Sequence, residues 1–288
     1  MTTSSIALVT GANQGIGYAL AEELAARWGS EDLVLLTGRN PALVTEAVAR
    51  AAANPATRAR IEGRHLDVSD AGAVARLAAD VASVDIVISN AAARLTRERT
   101  QQEQADEFIA VANGGTHAML RSFGPVLRPG GRLIVVASSL GALANLPERL
   151  HPLFDDDASL DDVEALVESW RTAIHAGTAA ELGWPEWINV PSKVAQVAAV
   201  RAVARARRKG DLAEGTLVTA VCPGLVDTPA SRPWFADFSH ARTPAQAAVR
   251  LLDFILAEPA DPTTYGELVR DGKTLPWLRH SSAAAHIL

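Results

Sequence analysis

The stretch Ile6-Ala7-Leu8-Val9-Thr10-Gly11-Ala12-Asn13-Gln14-Gly15-Ile16-Gly17 decides how this chain is read. Its first four residues form an apolar run of the kind that makes a strand buried on both faces. Glycines follow at 11, 15 and 17, and an amphipathic helical pattern covers 18–28. A strand, a tight glycine turn and a helix N-terminus together make an anion site. Backbone N–H groups point outward, the helix dipole favours negative charge, and the missing Cβ atoms let a pyrophosphate approach. The bland alternative is a glycine-rich βα turn that binds nothing; the flanking strand and helix favour a nucleotide. The spacing, T-G-x-x-x-G-I-G, differs from the G-x-G-x-x-G fingerprint.

Composition bounds what such a turn can belong to. With 288 residues, 48% hydrophobic and 21% charged, the chain suits one large α/β domain with an ample core. A net charge of -6 argues against a nucleic-acid surface, and the basic cluster Arg205, Arg207, Arg208 and Lys209 reads as a solvated helix end. The single cysteine, Cys222, excludes an intrachain disulfide and fits a reducing cytoplasm. No apolar stretch approaches the roughly 20 residues that span a bilayer. The first strand begins within five residues of Met1, leaving no room for a signal peptide, so a cytoplasmic location is expected.

Taken in order, strand and helix patterns alternate. A second buried strand, 33–37, ends in Gly38-Arg39-Asn40. In a doubly wound sheet this strand end reaches the adenosine ribose. An acid there would accept from the 2′-OH of NAD, whereas Arg39 offers a planar fork for a 2′-phosphate and favours NADP(H). Read blandly, Arg39 is a solvent arginine. A helix over 41–52, a strand through 64–66 ending in Asp67-Val68, a helix over 71–81 and a strand over 84–88 ending in Ser89-Asn90-Ala91-Ala92 follow. A long helical stretch, about 102–127, precedes the strand that runs from Gly131 into Ser138-Ser139. This alternation predicts a parallel, doubly wound Rossmann-type sheet with right-handed crossovers and helices on both faces. Residues 142–186 break the rhythm with an acidic stretch and an amphipathic helix at 160–174, an insert too long for an ordinary connection. A helix carrying Lys193 to about 208, a strand at 216–221, Cys222-Pro223-Gly224-Leu225-Val226-Asp227-Thr228, a lid-like segment with Trp234 and Phe235, and a helix at 244–256 complete the pattern. There is no internal repeat and no second domain, so 1–288 reads as one unit.

Thr10 to Gly17, the Asp67 strand end, the Asn90 strand end and the Ser138 and Lys193 positions resemble the short-chain dehydrogenase/reductase family over about 6–277. The insert, Gly183-Trp184-Pro185, and the ending around 272–277 resemble its monomeric carbonyl reductase branch, which reduces ketones, aldehydes and quinones with NADPH. The resemblance implies a cofactor site built from Gly11, Asn13, Gln14, Gly15, Ile16 and Gly17, with Asp67 and Val68 beside the adenine. Asn90 and Ala91 match the middle of the family's N-N-A-G, with Ser89 and Ala92 as departures. Pro223, Gly224, Val226, Thr228 and Lys193 complete the implied cofactor contacts. An insert like this covers the helix face that other members use to build tetramers, which implies a monomer.

The family's catalytic set is Ser, Tyr and Lys with an Asn further back. Its Tyr gives a proton to the substrate oxygen, its Lys and the cofactor cation lower the Tyr pKa, and its Ser polarises the carbonyl. Tyr and Lys stand four residues apart on one helix face. Here Ser138 and Lys193 are retained, but Asn189 occupies the Tyr position. Ala112 stands four residues before Thr116, where the Asn is expected. Asn113 lies one residue on, about 100° round an α-helix, and is expected to face elsewhere. Tyr18 and Tyr265, the chain's two tyrosines, are not placed to substitute. An amide has no proton to release near neutral pH, and loss of general acid catalysis costs about 10²–10⁴-fold in rate.

Three functions therefore stand side by side. The first is an NADPH-dependent reductase of an unusual electrophile, such as an iminium or conjugated enone. The second is a non-redox isomerase, cyclase or lyase of a natural-product intermediate, using Ser138, Asn189, Lys193 and Arg94, with bound NADP(H) as a wall. The third is a silent cofactor-binding protein. Trp187 and Trp234 read equally as an aromatic substrate pocket or as core and lid anchors. Arg94, His151 and His175 read more simply as surface residues. Histidines and cysteine show no metal-ligand spacing, and no Gly-x-Ser-x-Gly elbow is present.

Overall fold

The computed structural model describes residues 4–278; 1–3 and 279–288, part of the single unit read from the sequence, lie outside the described residues. Eight strands form one sheet: β1 (Ile6–Val9), β2 (Leu33–Gly38), β3 (Arg60–His65), β4 (Val84–Ser89), β5 (Leu127–Val136), β6 (Leu217–Val221), β7 (Leu268–Arg270) and β8 (Lys273–Leu275). Their spatial order is β3-β2-β1-β4-β5-β6-β7-β8. All neighbours pair in parallel except β7 and β8, a hairpin turned at Asp271-Gly272. The expected parallel sheet is present, and its last strand returns antiparallel because the two-residue turn is too short for a parallel return.

Central strands are apolar because both faces are covered: Ala7, Leu8 and Val9 are buried, as are Val87, Ile88, Ile134 and Val218. At one edge β3 alternates charge, with Arg60 and Arg64 exposed. That polar pattern is why the sequence shows only its last residues as a strand.

The helices are α1 (Gly15–Arg27), α2 (Pro41–Ala52), α3 (Ala71–Val81), α4 (Gln101–Ile109), α5 (Gly115–Phe123), α6 (Leu160–His175), α7 (Asn189–Ala213) and α8 (Pro244–Ile255). Most start where a short polar side chain satisfies the first free N–H groups. Asn40 accepts from Ala42 N and Leu43 N ahead of Pro41, and Asp70 accepts from Ala73 N. Thr100 with Glu103, Ser159 with Asp162, and Thr243 with Gln246 form reciprocal caps. The single helix expected over about 102–127 is two helices joined by a π-turn, Ala110–Gly114. Residues 142–186 hold short 3-10 turns and α6, which packs on α4 and α7. Beneath it Phe154 meets Trp184 and Trp277 edge-on at 6.5 and 6.4 Å, and Trp170 lies 5.7 Å from Trp184.

Candidate active site

Strand order reverses between β1 and β4, and in open α/β sheets ligands bind in the crevice at that switch point, beyond the strand C-termini. The glycine turn lies there. Gly11 (φ +61°) and Gly15 (φ +59°) take left-handed backbone that costs an L side chain strain. A Cβ on Gly17 would lie 2.5 Å from both Asn90 Nδ2 and the Gly11 carbonyl oxygen, so this glycine seats α1 against the turn. A Cβ on Gly15 would meet nothing within 4 Å, so the turn faces open space. Unlike α2, α3, α4, α6 and α8, α1 begins without a capping side-chain bond among the described residues. Its first N–H groups are left for an anion.

Asn90 stitches this turn to β4. Its Nδ2 donates to Thr10 O at 2.9 Å, and the backbone N–H groups of Asn90 and Ala91 donate to Thr10 Oγ1 at 2.9 and 3.0 Å. Arg39, beyond β2, donates to Glu107 Oε1 at 3.0 Å. Arg50, which no sequence signal marks, donates to Asn13 O at 3.2 Å and lies 4.0 Å over the Tyr18 ring. Asp67 accepts from Ser69 N–H and O–H; the Ser69 hydroxyl chiefly holds its carboxyl below the usual range, burial opposes, and Arg39 and His65 assist. Val68 packs where a Cβ on Gly115 would lie 2.7 Å from its Cγ2. After β6, Gly224 turns the chain at φ +77°, and the Pro223 carbonyl accepts from Arg242 Nη1 at 3.1 Å. Val226 bridges to Arg242 in parallel, and Thr228 N–H donates to Ser231 Oγ at 3.1 Å.

Ser138 lies two residues past β5, half-buried, its Oγ accepting from Leu140 N–H at 3.2 Å. The 3-10 turn that it caps crosses α7 closely: a Cβ on Gly141 would stand 2.9 Å from the Lys193 carbonyl oxygen. Asn189 is the first residue of α7 and Lys193 is one turn on. The helix thus begins earlier than the sequence indicates. Lys193 is partly exposed, with Nζ donating to Gln196 Oε1 at 2.7 Å and standing 3.5 Å from Val136 O. Burial lowers its pKa from the usual value to about 8, with a small opposing effect from Cys222.

Asn113 faces α7, but its partner there is Ser192 and not Lys193. The π-turn changes the helical phase at this point, and Asn113 is fully buried against α7. It donates from Nδ2 to Ser192 O at 3.0 Å and accepts from Ser192 Oγ at 2.8 Å. The two tyrosines are engaged elsewhere: Tyr18 O–H donates to Glu22 at 3.0 Å and Tyr265 O–H to Asp211 at 2.7 Å, near the far end of α7. Trp187 and Trp234 lie 5.8 Å apart at 32°, with the Arg97 guanidinium 5.6 Å over Trp234. This stack joins three loops, and Trp187 Nε1 is buried without a hydrogen-bond partner among the described residues.

A glycine turn at the switch point of the sheet, and a 3-10 turn after β5 packed on the helix that carries Lys193, define a Rossmann-type α/β protein. The family model for short chain dehydrogenase matches residues 5–148, and the chain belongs to that family. It is similar to mouse carbonyl reductase [NADPH] 3 (Mus musculus), 27% identical over 95% of this chain and 99% of the relative. In fold it resembles salutaridine reductase from Papaver somniferum, with a TM-score of 0.75 and 22% identity over 92% of this chain and 99% of that one. A short chain dehydrogenase from Burkholderia cenocepacia, solved in complex with NADP, shares the fold at a TM-score of 0.63 and 21% identity over 93% and 96% of the two chains. No helix among the described residues is long and apolar enough to cross a membrane.

Proposed function

We propose that this protein is an NADP(H)-dependent reductase of a small molecule, working as a monomer in the cytoplasm, whose substrate carries a carbonyl, iminium or enone. The observation that carries the reading is the packing of the turn after Ser138 against the helix that carries Asn189 and, one turn on, Lys193, in a sheet whose switch point holds the glycine turn. The printed names of the mouse relative and the Burkholderia structure support the cofactor. The packing of α6 on α7 supports the monomer.

The glycine turn from Gly11 to Gly17 would hold the pyrophosphate, Arg39 the 2′-phosphate, and Asp67 and Val68 the adenine. Asn90, Ala91, Lys193 and the Pro223–Thr228 turn would hold the remainder, and NADPH supplies a hydride when bound. Ser138 Oγ already accepts from Leu140, which leaves its O–H free to donate to a substrate oxygen or nitrogen. Asn189 adds an amide donor but no releasable proton. With its pKa near 8, Lys193 can hold or release a proton close to neutral pH. This set suits electrophiles that need little protonation at the heteroatom. A simple ketone would forgo the phenol acid, a loss of about 10²–10⁴-fold.

Asn189 also favours a second reading, a non-redox isomerase, cyclase or lyase in which the nucleotide is a wall. NADPH deuterated at C4, tested over a panel of iminium, enone and quinone electrophiles, separates them. Label in the product is expected for the reductase. Conversion without label or NADPH loss would establish the second reading, and no conversion would leave a cofactor-binding protein. Asn189→Tyr should raise reduction of activated ketones about 10²-fold or more, since Lys193 lies one turn away to lower the phenol pKa. Normal NADPH binding without any such gain would overturn the reductase reading.

A further inference from the structure

We infer that Gln196 is a positioning residue for Lys193, holding its amine and tying it to the π-turn between α4 and α5. The inference rests on the proposed role of Lys193 in the reaction centre. Gln196 is three residues after Lys193 on α7 and its side chain is buried, 2% exposed. Its Oε1 accepts from Lys193 Nζ at 2.7 Å, while its Nε2 donates to Ala112 O at 2.8 Å and to Thr116 Oγ1 at 2.7 Å. The orientation of the amide is forced: an ammonium can only donate and a backbone carbonyl can only accept. Glutamate could not donate to Ala112, and leucine could not accept from Lys193. A carboxamide serves both ends.

The bridge has a partner beside it. Asn113 and Ser192 exchange hydrogen bonds across the same seam, so the π-turn is fixed to α7 at two consecutive points. Ala112, the position where the family resemblance leads one to expect an Asn side chain, contributes its backbone carbonyl instead. The groups that face Lys193 are the Val136 carbonyl from β5, the Cys222 thiol beyond β6 and Gln196 from its own helix. Among the described residues no carboxylate pairs with it. A neutral amide therefore orients the amine without anchoring its positive charge, and burial is left to set its protonation.

The chain has three lysines, Lys193, Lys209 and Lys273, so protein labelled with carbon-13 at lysine Cε gives three resonances, and Lys193→Met identifies the one of interest. Titrated without nucleotide, that resonance should have its midpoint near 8 in the wild type. Gln196→Glu should raise the midpoint by about one unit or more, since an opposite charge favours the ammonium. Gln196→Leu should lower it. The alkaline limb of the pH profile for NADPH-dependent reduction should move in the same direction in each variant. In the wild type itself, absence of any nuclear Overhauser contact between the Lys193 Cε protons and the Gln196 side chain would overturn the inference even if neither variant folds. So would folded Glu and Leu variants that keep the wild-type midpoint. If the resonance moves while the limb stays, Gln196 positions Lys193 as inferred, and the proposed role of Lys193 in the reaction fails instead.

Discussion

At Arg39 two partners compete for one guanidinium. Glu107 holds it at 3.0 Å, but the two side chains are 62% and 52% exposed. Such a pair contributes about 0–1 kcal/mol, whereas a charge-assisted arginine–phosphate contact contributes about 1.5–3 kcal/mol. A 2′-phosphate should therefore displace Glu107. Arg39→Ala is expected to weaken NADPH binding about ten- to a hundred-fold and leave NADH little changed, read by titration calorimetry. Equal losses for both nucleotides would argue against the phosphate role. Arg50, stacked on Tyr18 beside Asn13, adds positive charge to the same mouth. Arg39, Ser138 and Lys193 stand out in the sequence as candidates because each follows a strand or sits in a motif of fixed spacing. Gln196, Asn113 and Arg50 do not, because each has a polar partner between 37 and 84 residues away. A side chain whose role is set by a distant carbonyl leaves no local pattern.

Elements with side-chain caps and clear periodicity, such as α2, α3 and α6, were readable nearly to the residue. The π-turn was not, since an apolar run such as Phe108 to Ala112 suits either helical phase and only packing against α7 selects one. The same neighbourhood predicts a pH effect. His117 on α5 is buried, its Nδ1 is 3.7 Å from Glu164 Oε1 of α6, and its Nε2 has no hydrogen-bond partner among the described residues. Burial lowers its pKa to about 4; Glu164 opposes this and Arg121 adds to it. From pH 6.5 downward the unfolded chain takes up a proton that the folded chain refuses until about 4, so stability falls through that window. The expected loss between pH 7.5 and 4.5 is about 2–3 kcal/mol. Urea unfolding at the two pH values should show that much less acid sensitivity in His117→Leu; an unchanged difference would remove His117 as its source.

Over the whole molecule, the insert and the sheet rims bear on self-association. Residues of the insert and the chain end clothe α7: Arg201 pairs with Asp156 at 3.2 Å and lies 5.1 Å over Trp277. With that helix covered, light scattering should give a mass near 30.3 kDa, and a stable species near four times that value would contradict the proposed monomer. The rims carry a separate consequence. On β3, Arg60, Glu62 and Arg64 stand at alternate positions, with Glu62 2.8 Å from Arg64 and 4.0 Å from Arg60. On β8, Lys273 and Thr274 are exposed. An unpaired strand rim is a template on which another chain can crystallise its own backbone, and fixed charge there spoils the match. The sheet ends where its polarity begins, which disfavours the addition of a foreign strand at either rim.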